Sequence, residues 1–131
     1  MERNTEHLLA IADQIRNEPE TLNMERWDPI RGLNDESSLN GGTASCIGGW
    51  SQALRGVSRP DEHPSDAFAA MGLTKEEGLE LCYDSGALFY RMLPRGERGE
   101  RFADILTAIA HGADVGETLD AAWIAAGAVT A

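Results

Sequence analysis

Hydrophobic residues recur along this chain with the three- and four-residue spacing of amphipathic helices. Near the N-terminus, Leu8, Ile11 and Ile15 fall on one helical face, with charged residues on the other. The clearest stripe covers residues 102–109 and ends before Gly112, a residue type that often terminates helices because it tolerates a positive φ. The spacing predicts a helix in both places.

Three more helix starts are predicted from residues that can cap a free backbone amide. Thr43 or Ser45 can accept a hydrogen bond from the first turn of a following helix, and Ser65 can do the same further along. Thr74 and Glu77 have the spacing of a capping box, in which each side chain accepts a hydrogen bond from the other residue's backbone amide. We therefore expect helices to begin near these positions.

The segment 85–101 is interrupted by one proline and three glycines. Residues 88–93 are therefore expected to form a brief apolar turn before Pro94, and residues 95–101 a loop or the start of a helix. A last helix is expected from about Glu117.

These elements predict an all-α fold, a compact single-domain bundle of five or six short helices over residues 1–131. A chain of this length buries about two thirds of its unfolded surface, so it needs no metal or disulfide for stability. The inward helix positions predict the core. Its expected members are Leu8, Ile15, Ile47, Trp50, Leu54, Phe68, Leu81, Phe102, Leu106, Ile109 and Trp123.

The chain is acidic, with 22 Asp and Glu residues against 11 Lys and Arg and a formal net charge of −11. The acids concentrate in residues 1–40, 61–84 and 102–131, and weakly basic blocks at 41–60 and 85–101 separate them. This balance argues against direct nucleic-acid binding and attraction to an anionic membrane, because both need clustered cations. No apolar run has the length of a membrane span and no secretory signal is recognisable, so we expect a cytoplasmic protein.

Catalytic and metal sites have little support in the sequence. Catalysis by Cys46 would require a histidine to fold against the thiol. The chain has three histidines, His7, His63 and His111, and one further cysteine, Cys82, none with the spacing of a zinc site. We therefore expect no enzyme activity, no metal, no cofactor, and two reduced cysteines that serve as small buried hydrophobic residues.

The most distinctive segment is GGTASCIGGW at residues 41–50. It lacks the lysine of a phosphate-binding loop, and it does not follow a predicted strand as a nucleophile elbow would. Glycines inside a helix cost about 1 kcal/mol each relative to alanine. Gly48 and Gly49 therefore indicate the close approach of another backbone, which a side chain would prevent.

The same region resembles a family of small uncharacterised helical proteins from bacteria and phages. They have a tryptophan, then Gly-Thr-x-x-Cys-Ile-(Ala/Gly)-Gly-(Trp/His), and then a Leu-Gly-Leu-like helix boundary, here at 71–73. The resemblance implies a helical cytoplasmic domain, often carried by mobile elements, with no assigned activity. Some relatives have a cysteine where this chain has Gly41, which puts a paired-cysteine role in doubt. The matching residues are Trp27, Gly42, Thr43, Cys46, Gly48, Gly49 and Trp50.

Four arginines of the second basic block are candidate partner contacts, namely Arg91, Arg95, Arg98 and Arg101. Their spacing of four, three and three would align them on a helix as an anion-binding stripe. Because proline and glycines interrupt the segment, the favoured interpretation is a solvated loop whose arginines pair with neighbouring acids.

Acidic residues of the block 61–84 are the other candidate contacts. Carboxylates at phosphate-like spacing allow a protein to mimic DNA and occupy the nucleic-acid site of a basic partner. Helix capping and solubility explain the same residues more simply. The candidates are Asp61, Glu62, Glu76, Glu77 and Glu80.

The sequence favours a small acidic protein-interaction or regulatory module, whose partner is an unknown protein or a second copy in a homodimer. The alternative is a DNA-mimicking, anti-defence inhibitor that binds a basic protein handling nucleic acids. A cysteine-dependent enzyme is the third and least supported hypothesis.

Overall fold

The computed structural model describes residues 2–24, 45–57 and 62–127. Within these ranges the chain is 73% helical and has no β-strand, which confirms the predicted all-α class. Six helices have eight or more residues and one has seven. They are α1 (Thr5–Asn17), α2 (Ile47–Leu54), α3 (Pro64–Ala70), α4 (Lys75–Cys82), α5 (Ser85–Met92), α6 (Arg95–Ala110) and α7 (Val115–Ala125), with a 3-10 turn at Pro19–Thr21 between α1 and α2.

The central pair of the bundle is α1 and α6, which pack along each other. Their apolar stripes meet as the spacing predicts, with Leu8, Ile11 and Phe102 completely buried. The Thr5 hydroxyl donates a hydrogen bond of 2.8 Å to the carbonyl of Ala110, so the start of α1 is fixed to the end of α6. The remaining helices pack around this pair.

The N-terminal segment before α1 is tied to the turn between α3 and α4. The Asn4 amide donates to the Met71 carbonyl at 3.0 Å. Gly72 has a φ of +75°, and a Cβ there would lie 2.1 Å from the Glu2 carbonyl oxygen. Glycine is required here for both reasons, and it lies just beyond the end of α3.

The capping box at the start of α4 is confirmed. Thr74 accepts from the Glu77 amide at 3.2 Å, and Glu77 accepts from the Thr74 amide at 2.9 Å. The two bonds satisfy two backbone donors that the first turn of a helix leaves free.

The predicted starts of α2 and α3 are wrong by a few residues. Cys46 is the residue before α2, while Ser45 forms a parallel bridge with Leu22 and Thr43 lies outside the described residues. At α3 the His63 ring, instead of Ser65, is the cap, and its Nδ1 accepts from the Ser65 amide at 3.1 Å. At α2 the backbone of Ser45 is held in the bridge to the 3-10 turn, and at α3 the Ser65 hydroxyl contacts the His63 ring.

Two regular helices occupy the segment 85–101, so the turn expected at residues 88–93 is wrong, while the helix start expected as one alternative for residues 95–101 is confirmed. The apolar turn is the second half of α5, and residues 95–101 are the first two turns of α6. Pro94 fits between them because it precedes the first residue of α6, where its missing amide is not needed. Helix α7 begins at Val115 instead of near Glu117, with an Asp114 cap.

Most of the predicted core is confirmed. Leu54 is an exception, since it is 39% exposed at the end of α2, and Trp123 is only partly buried while it packs against the core. The predicted residues that are fully buried are Leu8, Ile15, Ile47, Trp50, Phe68, Leu81, Phe102, Leu106 and Ile109. Within the described ranges, none of the helices combines the length and apolar character needed to span a membrane.

Candidate functional site

The four candidate arginines are divided between two helices. Arg91 lies in the last turn of α5, whereas Arg95, Arg98 and Arg101 lie in the first two turns of α6, beyond Pro94. The solvated loop is therefore wrong for this segment. Three of the arginines do have helical spacing, but the fourth belongs to a separate helix.

The arginines of α6 differ in their surroundings. Arg101 pairs with Glu97 of the same helix at 3.2 Å. The Arg98 guanidinium lies over the Tyr90 ring, 4.2 Å from its centroid, and its Nε donates to the Leu93 carbonyl at 3.2 Å. These contacts hold two arginines to their own or the preceding helix, which weakens the case for a continuous anion-binding stripe.

A cleft of about 790 Å³ lies beside the start of α6. Arg95 and Arg98 line it together with Tyr90, whose hydroxyl donates to the Leu22 carbonyl at 3.3 Å. Glu20 lines the same cleft, so a carboxylate accompanies the two cations. Its described lining is of mixed polarity and charge, and none of the buried polar side-chain atoms in that lining lacks a hydrogen-bond partner.

Two of the candidate acids are neutralised by arginines. Glu62 accepts from the Arg55 guanidinium, with 2.9 Å between Nη1 and Oε2. Glu77 pairs with Arg3 at 2.7 Å, and this hydrogen bond is the main reason that the pKa of the Glu77 carboxyl is lowered. Asp61 lies outside the described residues.

The other two candidate acids lie on α4. Glu76 is exposed in the first turn. The Glu80 carboxylate points toward the first turn of α7, where its Oε1 would lie 3.0 Å from a Cβ placed on Gly116. A carboxylate at this end of a helix is stabilised by the helix dipole. The acids named from the sequence therefore have different local roles and are not one uniform surface.

The Cys-Ile-Gly-Gly-Trp segment is buried, as a packing role requires. Burial raises the pKa of the Cys46 thiol to about 11, although the Gly48 and Gly49 amides partly oppose it. Burial and the neighbouring Cys46 thiol also raise the pKa of Cys82. Both cysteines are buried and free. A nucleophilic thiol needs the opposite shift, so this arrangement disfavours cysteine catalysis.

Trp50 fixes the same segment to the 3-10 turn. Its Nε1 donates to the Thr21 carbonyl at 2.9 Å, and the indole is fully buried. The other motif residues named from the sequence, Trp27, Gly42 and Thr43, lie outside the described residues. Among the residues that are described, no three His, Cys, Asp or Glu side chains are arranged to hold a metal ion.

A histidine–serine pair went unpredicted. The His7 Nε2 lies 2.9 Å from the Ser51 Oγ, and that hydroxyl donates to the Ala67 carbonyl at 2.9 Å. Because its proton is committed to the carbonyl, Ser51 accepts from His7 and is not activated as a nucleophile. The contact joins α1, α2 and α3, and no spacing in the sequence indicates it.

An apolar groove between α5 and α7 also went unpredicted. It has a volume of about 450 Å³, and Leu88, Trp123 and Ile124 form its apolar wall beside Ser85 and Asp120. Met92 is one helical turn beyond Leu88 and therefore extends the same side of α5. We call this surface the α5–α7 face: Ser85, Leu88, Met92, Asp120, Trp123 and Ile124.

Exposed apolar side chains concentrate at this face. Among the described residues, the large hydrophobic side chains with the greatest exposure are Met92 at 57%, Leu88 at 52% and Ile124 at 49%. Phe89, between the two exposed residues of α5, points inward, with its ring 5.4 Å from that of Trp123. The spacing of Leu88 and Met92 was the available sequence signal, but it only has this meaning once the segment is known to be a helix.

The described part of the chain thus contains a buried cysteine motif, a divided set of arginines and an exposed apolar groove. Of these three features, the groove exposes apolar side chains to solvent, and such surface is typical of a binding site. No protein-family model matches this chain, and neither a curated protein nor a solved structure is significantly similar to it.

Proposed function

We propose that this protein is a small protein-interaction module that binds its partner through the α5–α7 face. The observation that supports the proposal is the exposure of Leu88, Met92 and Ile124 around one groove. Isolated exposed apolar residues are common, but several around a groove are typical of binding sites. A regulatory or accessory role in the cytoplasm is part of this proposal.

The energetic argument for a partner is the hydrophobic effect. Complete burial of a large apolar side chain from full exposure is worth about 1.5–3 kcal/mol. The three side chains of the face are about half exposed, so a partner that covers them gains a few kcal/mol from these contacts. This is enough to make them the main contributors to a moderate affinity.

The DNA-mimic hypothesis has less support. Two of its candidate carboxylates, Glu62 and Glu77, are paired with arginines of this chain, and Glu80 points toward α7. Mimicry requires free carboxylates in a regular array. We therefore keep the interaction module as the single proposal.

The test is affinity purification from the organism that encodes the protein, with three forms of the chain. Leu88→Asp places a charge on the α5–α7 face, and Leu54→Asp makes the same change at an exposed leucine on α2. We expect a partner that co-purifies with the wild type and with Leu54→Asp but not with Leu88→Asp. Circular dichroism checks that both variants fold.

Two outcomes would count against the proposal. One is a partner set that the two variants retain equally, since binding would then not use the face. The other is that no protein co-purifies specifically with the wild type, since the chain would then have no partner to bind.

A further inference from the structure

The α5–α7 face has the shape of a receptor for a helix. Its groove runs between two helices, and the exposed side chains of α5 are four residues apart, on one side of the helix. An amphipathic helix presents apolar side chains at a similar spacing and inserts them into grooves of this kind. Shape alone does not select the charge of that helix.

The carboxylates around the groove favour a positively charged helix as the ligand. Asp120 lines it, Glu117 lies one turn before Asp120 on α7, and Asp84 immediately precedes Ser85. All three are exposed, and none forms an ion pair within the described part of the chain. The cation of α5, Arg91, is at the opposite end of that helix, beside Met92.

We propose that the α5–α7 face binds a basic amphipathic helix of a partner protein, with its apolar side in the groove and its Lys or Arg side chains against Asp84, Glu117 and Asp120. This inference rests on the proposed function and specifies the partner's chemistry. Complementary charge accelerates association and excludes helices of the wrong sign. The basic residues face the Ser85 end of α5, away from Arg91.

A second copy of this chain does not fit the same face. Each copy carries a formal net charge of −11, and a symmetric contact would bring the carboxylates of two groove rims together. Like charges across an interface oppose association. The charge therefore favours a different, basic partner over a homodimer.

The test uses synthetic peptides and the full chain. The probe is a leucine–lysine peptide of about 15 residues, near the length at which an isolated helix begins to form. A leucine–glutamate peptide of the same pattern tests the charge, and a scrambled leucine–lysine peptide tests the helical spacing. Binding is measured by fluorescence anisotropy at about 0.15 M salt, where distant charges are screened.

We expect the patterned leucine–lysine peptide to bind the wild type, and the other two peptides to bind at least about tenfold more weakly. The double variant Leu88→Gln/Met92→Gln is expected to bind the patterned peptide about tenfold or more weakly, whereas Leu54→Gln should bind it with the wild-type affinity. Asp120→Asn is expected to lower the affinity about two- to threefold. Asp13→Asn, on α1, which packs chiefly against α6, is expected to leave the affinity unchanged.

Three results would overturn the inference. The leucine–glutamate or the scrambled peptide binds as well as the patterned one, or Leu54→Gln weakens binding as much as the double variant does. In the third, sedimentation in neutral solution, where the charge of −11 is fully present, shows a dimer that the double variant dissociates, so that the occupant is a second copy. If the leucine–lysine peptide fails while affinity purification recovers a Leu88-dependent partner, the interaction module stands and the basic helix is wrong.

Discussion

At the level of single residues, the fold favours the neutral form of the His7 imidazole. Burial lowers the pKa of His7, and the Arg55 guanidinium lowers it further, while the Glu62 carboxylate opposes both. In the unfolded chain the imidazole titrates near its ordinary value of 6.5. The unfolded state therefore binds the proton more readily than the native state, and acidification favours unfolding.

The free energy of unfolding is thus expected to fall as the pH drops below about 6.5, until the native imidazole is itself protonated. His7→Gln removes the titrating group and should give a shallower loss over the same range. Urea unfolding at several pH values between about 7.5 and about 5.5 measures both slopes. The matched control is His111→Gln at an exposed histidine. Equal slopes for the wild type and His7→Gln would refute this assignment.

At the scale of elements, α5 and α6 show where local sequence rules stop. One proline and three glycines predict a turn at residues 88–93 and a loop or a helix start at residues 95–101, and both segments are helical. Gly99 costs helix propensity, but it allows close packing, because a Cβ there would lie 2.5 Å from the Cβ of Pro19. Gly96, three residues earlier in α6, has open space around it. Position 99 therefore requires glycine for packing against Pro19, whereas position 96 has room for a larger side chain.

This difference predicts opposite effects of the same substitution. Gly96→Ala is expected to stabilise the protein by up to about 0.5 kcal/mol, because it adds helix propensity without a clash. Gly99→Ala is expected to destabilise it by about 1–3 kcal/mol, because the new methyl group overlaps Pro19. Urea unfolding of both variants measures the two changes. A stabilising Gly99→Ala would mean that the 3-10 turn does not pack against α6 in this way.

At the scale of the whole molecule, net charge and the apolar face act against each other. The charge of −11 keeps copies of the chain apart in neutral solution, while the α5–α7 face favours their association. The isoelectric point is about 4.5, so acidification weakens the repulsion but leaves the apolar surface.

Self-association is therefore expected to increase as the pH falls from about 7.5 to about 5.5. The variant Leu88→Gln/Met92→Gln should suppress the increase, and Leu54→Gln should not. Light scattering gives the apparent mass, with near-ultraviolet circular dichroism to confirm that the native fold persists. If self-association increases equally in the double variant, the chains associate through a different surface.

The elements with strong local signals were predicted well. Apolar spacing located α1 and the second half of α6, and the capping box located α4. Their signals lie within a few turns of the chain, so the sequence displays them directly. The boundaries of α2 and α3 were wrong because Ser45 bridges to Leu22 and His63 replaces Ser65 as the cap.

The helical class, most of the core and the acidic charge can be read from the sequence, since they depend on spacing and composition. The packing of the helices is needed to see that Glu62 and Glu77 are paired with arginines, that His7 contacts Ser51, and that an exposed groove lies between α5 and α7. Each of these features is formed by residues from two different segments of the chain. Spacing along one segment cannot encode such contacts, because they depend on how the helices pack together.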